Sequence, residues 1–231
     1  MRKKALFNWS GGKDSALALH YALKSEFYEV ARLLTSINKD LERISMHGVR
    51  KSMLLKQVEA IGLPLTLLEL PTGLDMAMYD ELMSQTLQPL VEGQGITHSV
   101  FGDIFLEDLK KYREDKMKEV GLSGYFPLWK RDTTELLQEF IEKGFKTLLI
   151  SIDGSKLDKS FVGQELTLDL VKEFPKEVDP CGENGEFHTF VFEGPIFEKP
   201  ISFQKGEIVG KDYELTKGSS EKVTYWFQDL F

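Results

Sequence analysis

The residues best suited to chemistry lie near the start of the chain, where residues 10–15 read Ser-Gly-Gly-Lys-Asp-Ser. The glycines let the backbone approach an anion, the lysine adds a positive charge, and the two serine hydroxyls add hydrogen-bond donors. This set of groups suits a phosphate, although its spacing is not that of a Gly-x-x-x-x-Gly-Lys-Ser/Thr loop. The carboxylate of Asp14 directly after Lys13 needs a metal ion or a helix dipole to balance its charge.

The segments on either side of residues 10–15 predict a strand, a turn and a helix. Residues 5–9 form a short apolar run rich in large side chains, which is typical of a buried strand. Residues 16–23 contain strong helix formers and no helix breaker. Unpaired N–H groups and the positive end of a helix then meet at the turn between them, which predicts a phosphate site there.

A second glycine followed by a carboxylate ends the fourth predicted strand, residues 99–104. In open α/β sheets ligands bind beyond the carboxyl ends of the strands, so this turn should border the same crevice as residues 10–15. Gly102 and Asp103 are therefore candidates for contact with a nucleotide or a magnesium ion. A tight turn in which Asp103 caps the next helix is the alternative.

A third polar segment, residues 179–191, contains acids, a cysteine and a histidine in a glycine-containing turn that leads into an apolar strand. A plain hairpin needs the glycines, but it does not need Glu183, Glu186 and His188. These three side chains are candidates for accepting a proton. Alternatively, Glu186 and His188 alternate along a strand edge and hydrogen-bond each other. Cys181 could act as a nucleophile with His188 as its base, but an offset of seven residues does not show that the two side chains are adjacent.

Composition and charge narrow the class of protein. The chain has 231 residues, 42% of them hydrophobic, and a formal net charge of -8. It has no apolar stretch long enough to span a membrane and no basic footprint for nucleic acid, so neither partner is expected. A single cysteine excludes an internal disulfide and a cysteine-rich zinc site. The start of the chain runs into a strand rather than a signal sequence, which predicts a cytoplasmic protein.

Strands and helices alternate along the first half of the chain and predict a parallel α/β sheet. The predicted strands after the first are residues 30–35, 65–70 and 99–104, and the helices are residues 50–61, 76–90 and 107–120. The second half predicts a smaller α+β domain with a helix between Asp132 and Gly144, a strand at 146–152, and short β-like runs at 206–209 and 223–227. We place the domains at 1–125 and 126–231. The apolar run 223–227 could pack on its own domain or on a second subunit, which would make a homo-oligomer.

Residues 10–15, at a strand-to-helix turn, resemble the PP-loop of the N-type ATP pyrophosphatases. Together with Gly-Glu-x-Gly-Glu-Phe-His-Thr at 182–189, Pro-Leu-Trp at 127–129 and Gly-Phe at 144–145, the chain resembles the diphthine-ammonia ligase family along essentially its whole length. The resemblance implies a parallel-sheet, HUP-type (Rossmann-like) ATP-binding domain and a smaller α+β C-terminal domain. It also implies that diphthine on elongation factor 2, ATP and ammonia give diphthamide, AMP and pyrophosphate.

The resemblance assigns roles to the candidate residues. ATP would be held by residues of both N-terminal turns: Ser10, Gly11, Gly12, Lys13, Asp14, Ser15, Gly102 and Asp103. Asp14 or Asp103 would bind Mg²⁺. The catalytic residues would be Lys13, Glu183, Glu186 and His188, with the identity of the general base left open. His47 with Gly48 either lines the adenine pocket or has no role.

Two other functions remain open at the level of sequence. One is an ATP pyrophosphatase that activates a small carboxylate metabolite. The other is a regulator that binds ATP without chemistry. A regulator would not need the Glu183–His188 segment. Because this chain retains the segment, the sequence favours an enzyme.

Overall fold

A computed structural model of the chain describes residues 2–45, 48–214 and 221–231, and its N-terminal half is built on one sheet. The strands of this sheet are β1 (Lys3–Asn8), β2 (Tyr28–Asn38), β3 (Arg43–Ile44), β4 (Leu65–Leu70), β5 (His98–Val100) and β6 (Ser123–Tyr125). Strands β4, β2, β1, β5 and β6 lie side by side in that order and are parallel, while β3 pairs antiparallel with the end of β2.

Helices follow most of the parallel strands: α1 (Lys13–Lys24), α2 (Lys51–Ile61), α3 (Met76–Gln94) and α4 (Glu107–Glu119). This alternation confirms the predicted Rossmann-like α/β sheet. The predicted strand at 99–104 is wrong at its C-terminal end, because β5 ends at Val100. The chain leaves the sheet there to pass close to the start of α1.

The C-terminal half forms a second, antiparallel sheet. The strands of this sheet are β7 (Lys146–Asp153), β8 (Phe187–Glu193), β9 (Lys205–Glu214) and β10 (Lys222–Leu230). The same half of the chain also contains helix α5 (Thr133–Glu142), a short 3₁₀ turn (Lys159–Phe161) and helix α6 (Leu168–Val171). The strand order is β8, β7, β10, β9. This arrangement confirms the smaller α+β part. The apolar run 223–227 lies in β10, which pairs with β7 and β9 of its own chain. Packing of this run on a second subunit stays a prediction.

A hydrophobic cluster joins the two parts, since it contains Trp9 and Leu17 beside Phe140 and Phe190. The first sheet ends at Tyr125, and the division of the chain at 125/126 stays a prediction. Within the part of the chain that the structure describes, no helix combines the length and the apolar character that crossing a bilayer requires.

Candidate active site

The turn between β1 and α1 has the backbone that its glycines predict. Gly11 adopts a left-handed conformation with φ of 83°, which favours glycine. The Gly12 carbonyl accepts the first bond of the helix from Ala16 N at 2.9 Å. The serine hydroxyls support the turn, because Ser10 Oγ accepts from Gly12 N at 3.3 Å and Ser15 Oγ accepts from Ser10 N at 3.2 Å. Residues 10–15 therefore form a compact loop at the positive end of α1.

The side chains of Lys13 and Asp14 form an ion pair at the start of this helix. Lys13 Nζ donates to both Asp14 oxygens, at 2.6 and 2.7 Å. Burial opposes the charge on Lys13, but Asp14 and, more weakly, Glu183 outweigh it, so the pKa of Lys13 is raised. The ammonium group is thus held charged in a nearly buried position, where it could meet a phosphate.

Strand β8 lies directly against residues 10–15. The backbone N–H of Lys13 donates to Thr189 Oγ1 at 2.9 Å. Val191 N donates to the Gly11 carbonyl at 2.9 Å. The loop of the first sheet is therefore bonded to the strand that follows the polar turn at 179–186.

Within that turn, the Glu186 carboxylate has a structural task. It is 1% exposed and accepts hydrogen bonds from Asp179 N at 3.1 Å and Asn184 N at 2.9 Å. Asp179 Oδ1 in turn accepts from Cys181 N at 2.8 Å. Carboxylates that accept several backbone N–H groups fix a turn, so Glu186 shapes this segment.

Glu183 is the acid of this turn that shares its electrostatic environment with residues 10–15. Burial and the nearby Asp14 carboxylate raise the pKa of Glu183 to about 8, and Lys13 opposes that change. A carboxyl group with a pKa near neutral can accept and return a proton at physiological pH.

Gly102 and Asp103 lie at the same crevice. A Cβ atom on Gly102 would come within 3.1 Å of Asp14 C and Ser15 N. Asp103 does not cap the next helix, whose N-cap is Leu106 without a side-chain bond, so that alternative is wrong. Instead, Asp103 Oδ2 lies 3.1 Å from Arg113 Nε, an ion pair whose poor alignment leaves both atoms without a hydrogen bond in the described chain.

The carboxylates of Asp14 and Asp103 are the groups at this crevice to compare with the ligands that a magnesium ion needs. Burial raises the pKa of Asp103, the charge of Arg113 opposes that rise, and the charge of Asp14 adds to it. Mg²⁺ takes one or two carboxylates together with phosphate oxygens and water. Asp14 and Asp103 are two carboxylates of this kind, and in this structure each pairs with a cation, Lys13 and Arg113 respectively. The described residues contain no cluster of three or more metal-ligating side chains, so phosphate oxygens and water would have to complete the shell of such an ion.

His188 faces away from this crevice. Neighbouring residues of a strand point to opposite faces, and Thr189 contacts Lys13 N, so His188 points to the other side of β8. There it lines a cavity of about 1320 Å³ with residues 38–45 and 48–50 on one side and the face of the second sheet on the other. Burial, together with the Lys13 charge, lowers the pKa of His188 to about 4, so the imidazole is neutral at physiological pH. His188 thus lies on the face of β8 opposite Thr189.

The walls of this large cavity include a residue suggested for the adenine pocket and residues that the sequence did not indicate. Gly48 lines it beside Tyr225 and Phe227 of β10. His47, the other residue suggested for the adenine pocket, lies outside the described residues. The cavity reaches the polar turn at Gly185, so a ligand in it would lie next to the turn that carries Glu183.

Cys181 is not arranged as a nucleophile. Its thiol is buried and contacts the Thr133 carbonyl, with Sγ at 3.2 Å from the oxygen. Burial raises the pKa of Cys181 to about 12, and Lys13 only partly opposes this. A thiol of that pKa carries almost no thiolate at neutral pH.

Sequence reasoning missed Gln57 and Thr189 as residues of the site. Gln57 is 0% exposed and bonds to both Gly11 and Val191. A polar residue at a core-facing position of α2 is the signal that could have indicated it. Thr189 carries no such signal in the sequence, because its partner is a backbone N–H group.

Two family models match the sequence: the diphthamide synthase N-terminal domain over residues 1–124 and the diphthamide synthase C-terminal domain over residues 132–222. The chain belongs to the diphthamide synthase family. Its motifs at 10–15 and 182–189 lie in the two matched segments, one in each. Family membership confirms the relationship that these motifs indicate.

Curated relatives in this family are named diphthine-ammonia ligase. The protein from Schizosaccharomyces pombe is 28% identical over 94% of this chain and 37% of its own length. The proteins from Bos taurus and Homo sapiens are 32% and 30% identical over 45% of this chain and 41% of theirs. The chain thus spans about two fifths of the length of these relatives.

One solved structure is similar in part: the U34-tRNA thiolase NcsA from Methanococcus maripaludis with its [4Fe-4S] cluster. The match has a TM-score of 0.37 and 15% identity, and it covers 61% of this chain and 58% of the thiolase.

Proposed function

We propose that this protein is an ATP-dependent ligase that adenylates a carboxylate and amidates it with ammonia, with diphthine on elongation factor 2 as the acceptor. The observation that carries the proposal is the contact between residues 10–15 and β8, through the Lys13 N–H and the Thr189 hydroxyl at 2.9 Å. This contact joins the loop that would bind phosphate to the strand that follows the acidic turn. Family membership and the name of the curated relatives support the reaction class.

In the first step, the acceptor carboxylate attacks the α-phosphate of ATP, the bond to the β-phosphate breaks, and pyrophosphate leaves. Residues 10–15 would hold the pyrophosphate, with the Lys13 ammonium and the helix N-terminus facing its negative charge. Asp14 and Asp103 would hold Mg²⁺, which would supply further positive charge beside the phosphates.

In the second step, ammonia attacks the acyl carbon, the carbon-nitrogen bond forms, and AMP leaves with the electron pair of the carbon-oxygen bond. Glu183 would accept the proton that the attacking nitrogen loses, because its pKa of about 8 lies near neutral. Glu186 would position the turn rather than react. His188 would line the acceptor side of the cavity.

The test is release of AMP and pyrophosphate from ATP with magnesium and ammonium. Elongation factor 2 bearing diphthine is compared with no acceptor and with a panel of small carboxylates. Lys13→Ala should abolish the acceptor-dependent release. Lys24→Ala is the matched control, since Lys24 is exposed in the last turn of the same helix.

The results distinguish three functions: the diphthine ligase, activation of a small carboxylate, and an ATP-binding regulator. Release that requires diphthine and disappears in Lys13→Ala supports the proposal. Release only with a small carboxylate would favour activation of a metabolite. ATP binding without release for any acceptor would contradict the ligase and favour a regulator.

A further inference from the structure

Gln57 is the buried polar residue on which three segments of the site converge. Its Nε2 donates to the Gly11 carbonyl at 3.1 Å and to the Val191 carbonyl at 2.7 Å. Its Oε1 lies 3.3 Å from Trp9 Nε1, which donates to it. A glutamine amide offers two N–H donors and one carbonyl acceptor. All of these groups are used here, so the amide has one orientation.

The amide of Gln57 also occupies the space beside Gly11. A Cβ atom on Gly11 would come within 2.7 Å of Gln57 Oε1. Gly11 has a φ of 83°, and its carbonyl accepts from both Gln57 and Val191 N. The left-handed turn of the loop is therefore held from outside by α2 and β8.

Thr189 supplies the second contact between β8 and the loop. Its side-chain oxygen accepts from Lys13 N in a buried position. Lys13 N belongs to the first turn of α1, where N–H groups have no partner within the helix. Thr189 thus fixes the residue that carries the ammonium group.

We propose that Gln57 and Thr189 are positioning residues that hold residues 10–15 in the conformation that binds pyrophosphate. Fully satisfied buried polar networks specify one conformation, and removing one partner leaves the other buried and unpaired. The inference rests on the proposed function, because it takes pyrophosphate as the ligand of the loop. It adds two uncharged residues, one from α2 and one from β8.

The chain offers a matched control on the neighbouring strand. Thr147 of β7 is 0% exposed, and its hydroxyl has no hydrogen-bond partner among the residues described. Thr147→Val and Thr189→Val remove the same group from adjacent buried strands. Only Thr189→Val removes the hydroxyl oxygen that accepts the hydrogen bond from Lys13 N.

The experiment measures binding of pyrophosphate with magnesium by titration calorimetry, and amide hydrogen exchange of the segment 10–16, in folded full-length variants. Thr189→Val and Gln57→Met should each lower the affinity about tenfold and speed exchange in that segment. Thr189→Ser, which keeps the hydroxyl, and Thr147→Val should behave as the wild-type protein does. Exchange in the strand 65–70 should stay unchanged in all variants.

Equal pyrophosphate affinity in Thr189→Val and Thr147→Val would overturn the inference, and this comparison stands even if Gln57→Met fails to fold. A wild-type protein without affinity for pyrophosphate would overturn it as well. A wild-type protein that binds pyrophosphate but forms no AMP with any acceptor would contradict the proposed function alone, because the affinities of the variants would still decide the positioning roles.

Discussion

Gly102 lies so close to Asp14 that a Cβ atom added to it would stand 3.1 Å from the Asp14 carbonyl carbon. The end of β5 and the start of α1 are therefore in backbone contact. This close approach brings Asp103 to the crevice that residues 10–15 border. It also makes residue 102 a sensitive point for both stability and nucleotide binding.

Gly102→Ala should destabilise the protein by about 1–3 kcal/mol, because the added methyl group must displace backbone atoms. It should also weaken ATP binding, which calorimetry can measure. The control is Gly93→Ala in α3, where a Cβ atom meets nothing within 4 Å. That change should stabilise the helix by about 0.5–1 kcal/mol. Equal unfolding free energies for the two variants would contradict the close contact.

The amidation rate should rise with pH through about 8, since Glu183 must lose its proton to act as a base and its pKa is about 8. Free ammonia has to be held constant across the series, because its own protonation would otherwise produce the same slope. Glu183→Gln should remove this rise of the rate with pH and lower kcat about 100-fold or more. A Glu183→Gln enzyme with an unchanged pH profile would exclude Glu183 as the base.

The cluster of Tyr21, Arg131 and Glu139 should contribute stability that acid removes. Burial opposes the charge on Glu139, but hydrogen bonds from Tyr21 and Arg131 outweigh it and lower its pKa from 4.5 to about 2. The contribution is therefore present above pH 4.5 and lost as the pH falls towards 2. Glu139→Gln should cost about 1–2 kcal/mol at pH 7.

The loss in Glu139→Gln should shrink as denaturation is measured at successively lower pH. The exposed Glu142→Gln on the same helix is the control and should show no such trend. A constant difference between Glu139→Gln and wild type from pH 7 to pH 3 would argue against the ionised cluster.

Cys181 should resist alkylation in the folded protein, because its thiol is buried and its pKa is about 12. Cys181→Ala should keep ammonia-dependent amidation, and glutamine should not replace ammonia in either protein. Iodoacetamide labelling followed by mass spectrometry checks the first point, with the urea-unfolded protein as the positive control. Inactivation of the folded enzyme by labelling at Cys181 would show that the thiol takes part.

Local sequence signals predict much of the fold. The strand at 65–70 is found with its predicted ends, and α2 ends where Gly62 adopts a left-handed conformation. Strands β3 and β6 were missed, because two or three residues are too few to show a period. The part of β5 predicted beyond Val100 is absent, since residue 102 must approach α1 instead.

The candidate site is predictable in its residues but not in its arrangement. Residues 10–15 and the turn at 179–186 stand out by composition, and residues 10–15 bond to the strand that follows this turn. His188 lines the large cavity, on the face of β8 opposite Thr189, and tertiary packing decides what each face of that strand meets. The role of Gln57 could not be predicted without the position of β8, because one of its two carbonyl partners, Val191, lies on that strand.

The bond between Lys13 and Thr189 joins positions that lie 176 residues apart. During synthesis, β1 and residues 10–15 leave the ribosome long before β8 is made. A nascent chain therefore carries the loop without the strand that fixes it, and loop closure over such a distance comes late in folding. If Thr189 fixes the loop as proposed, a chain that stops before β8 should not bind the nucleotide.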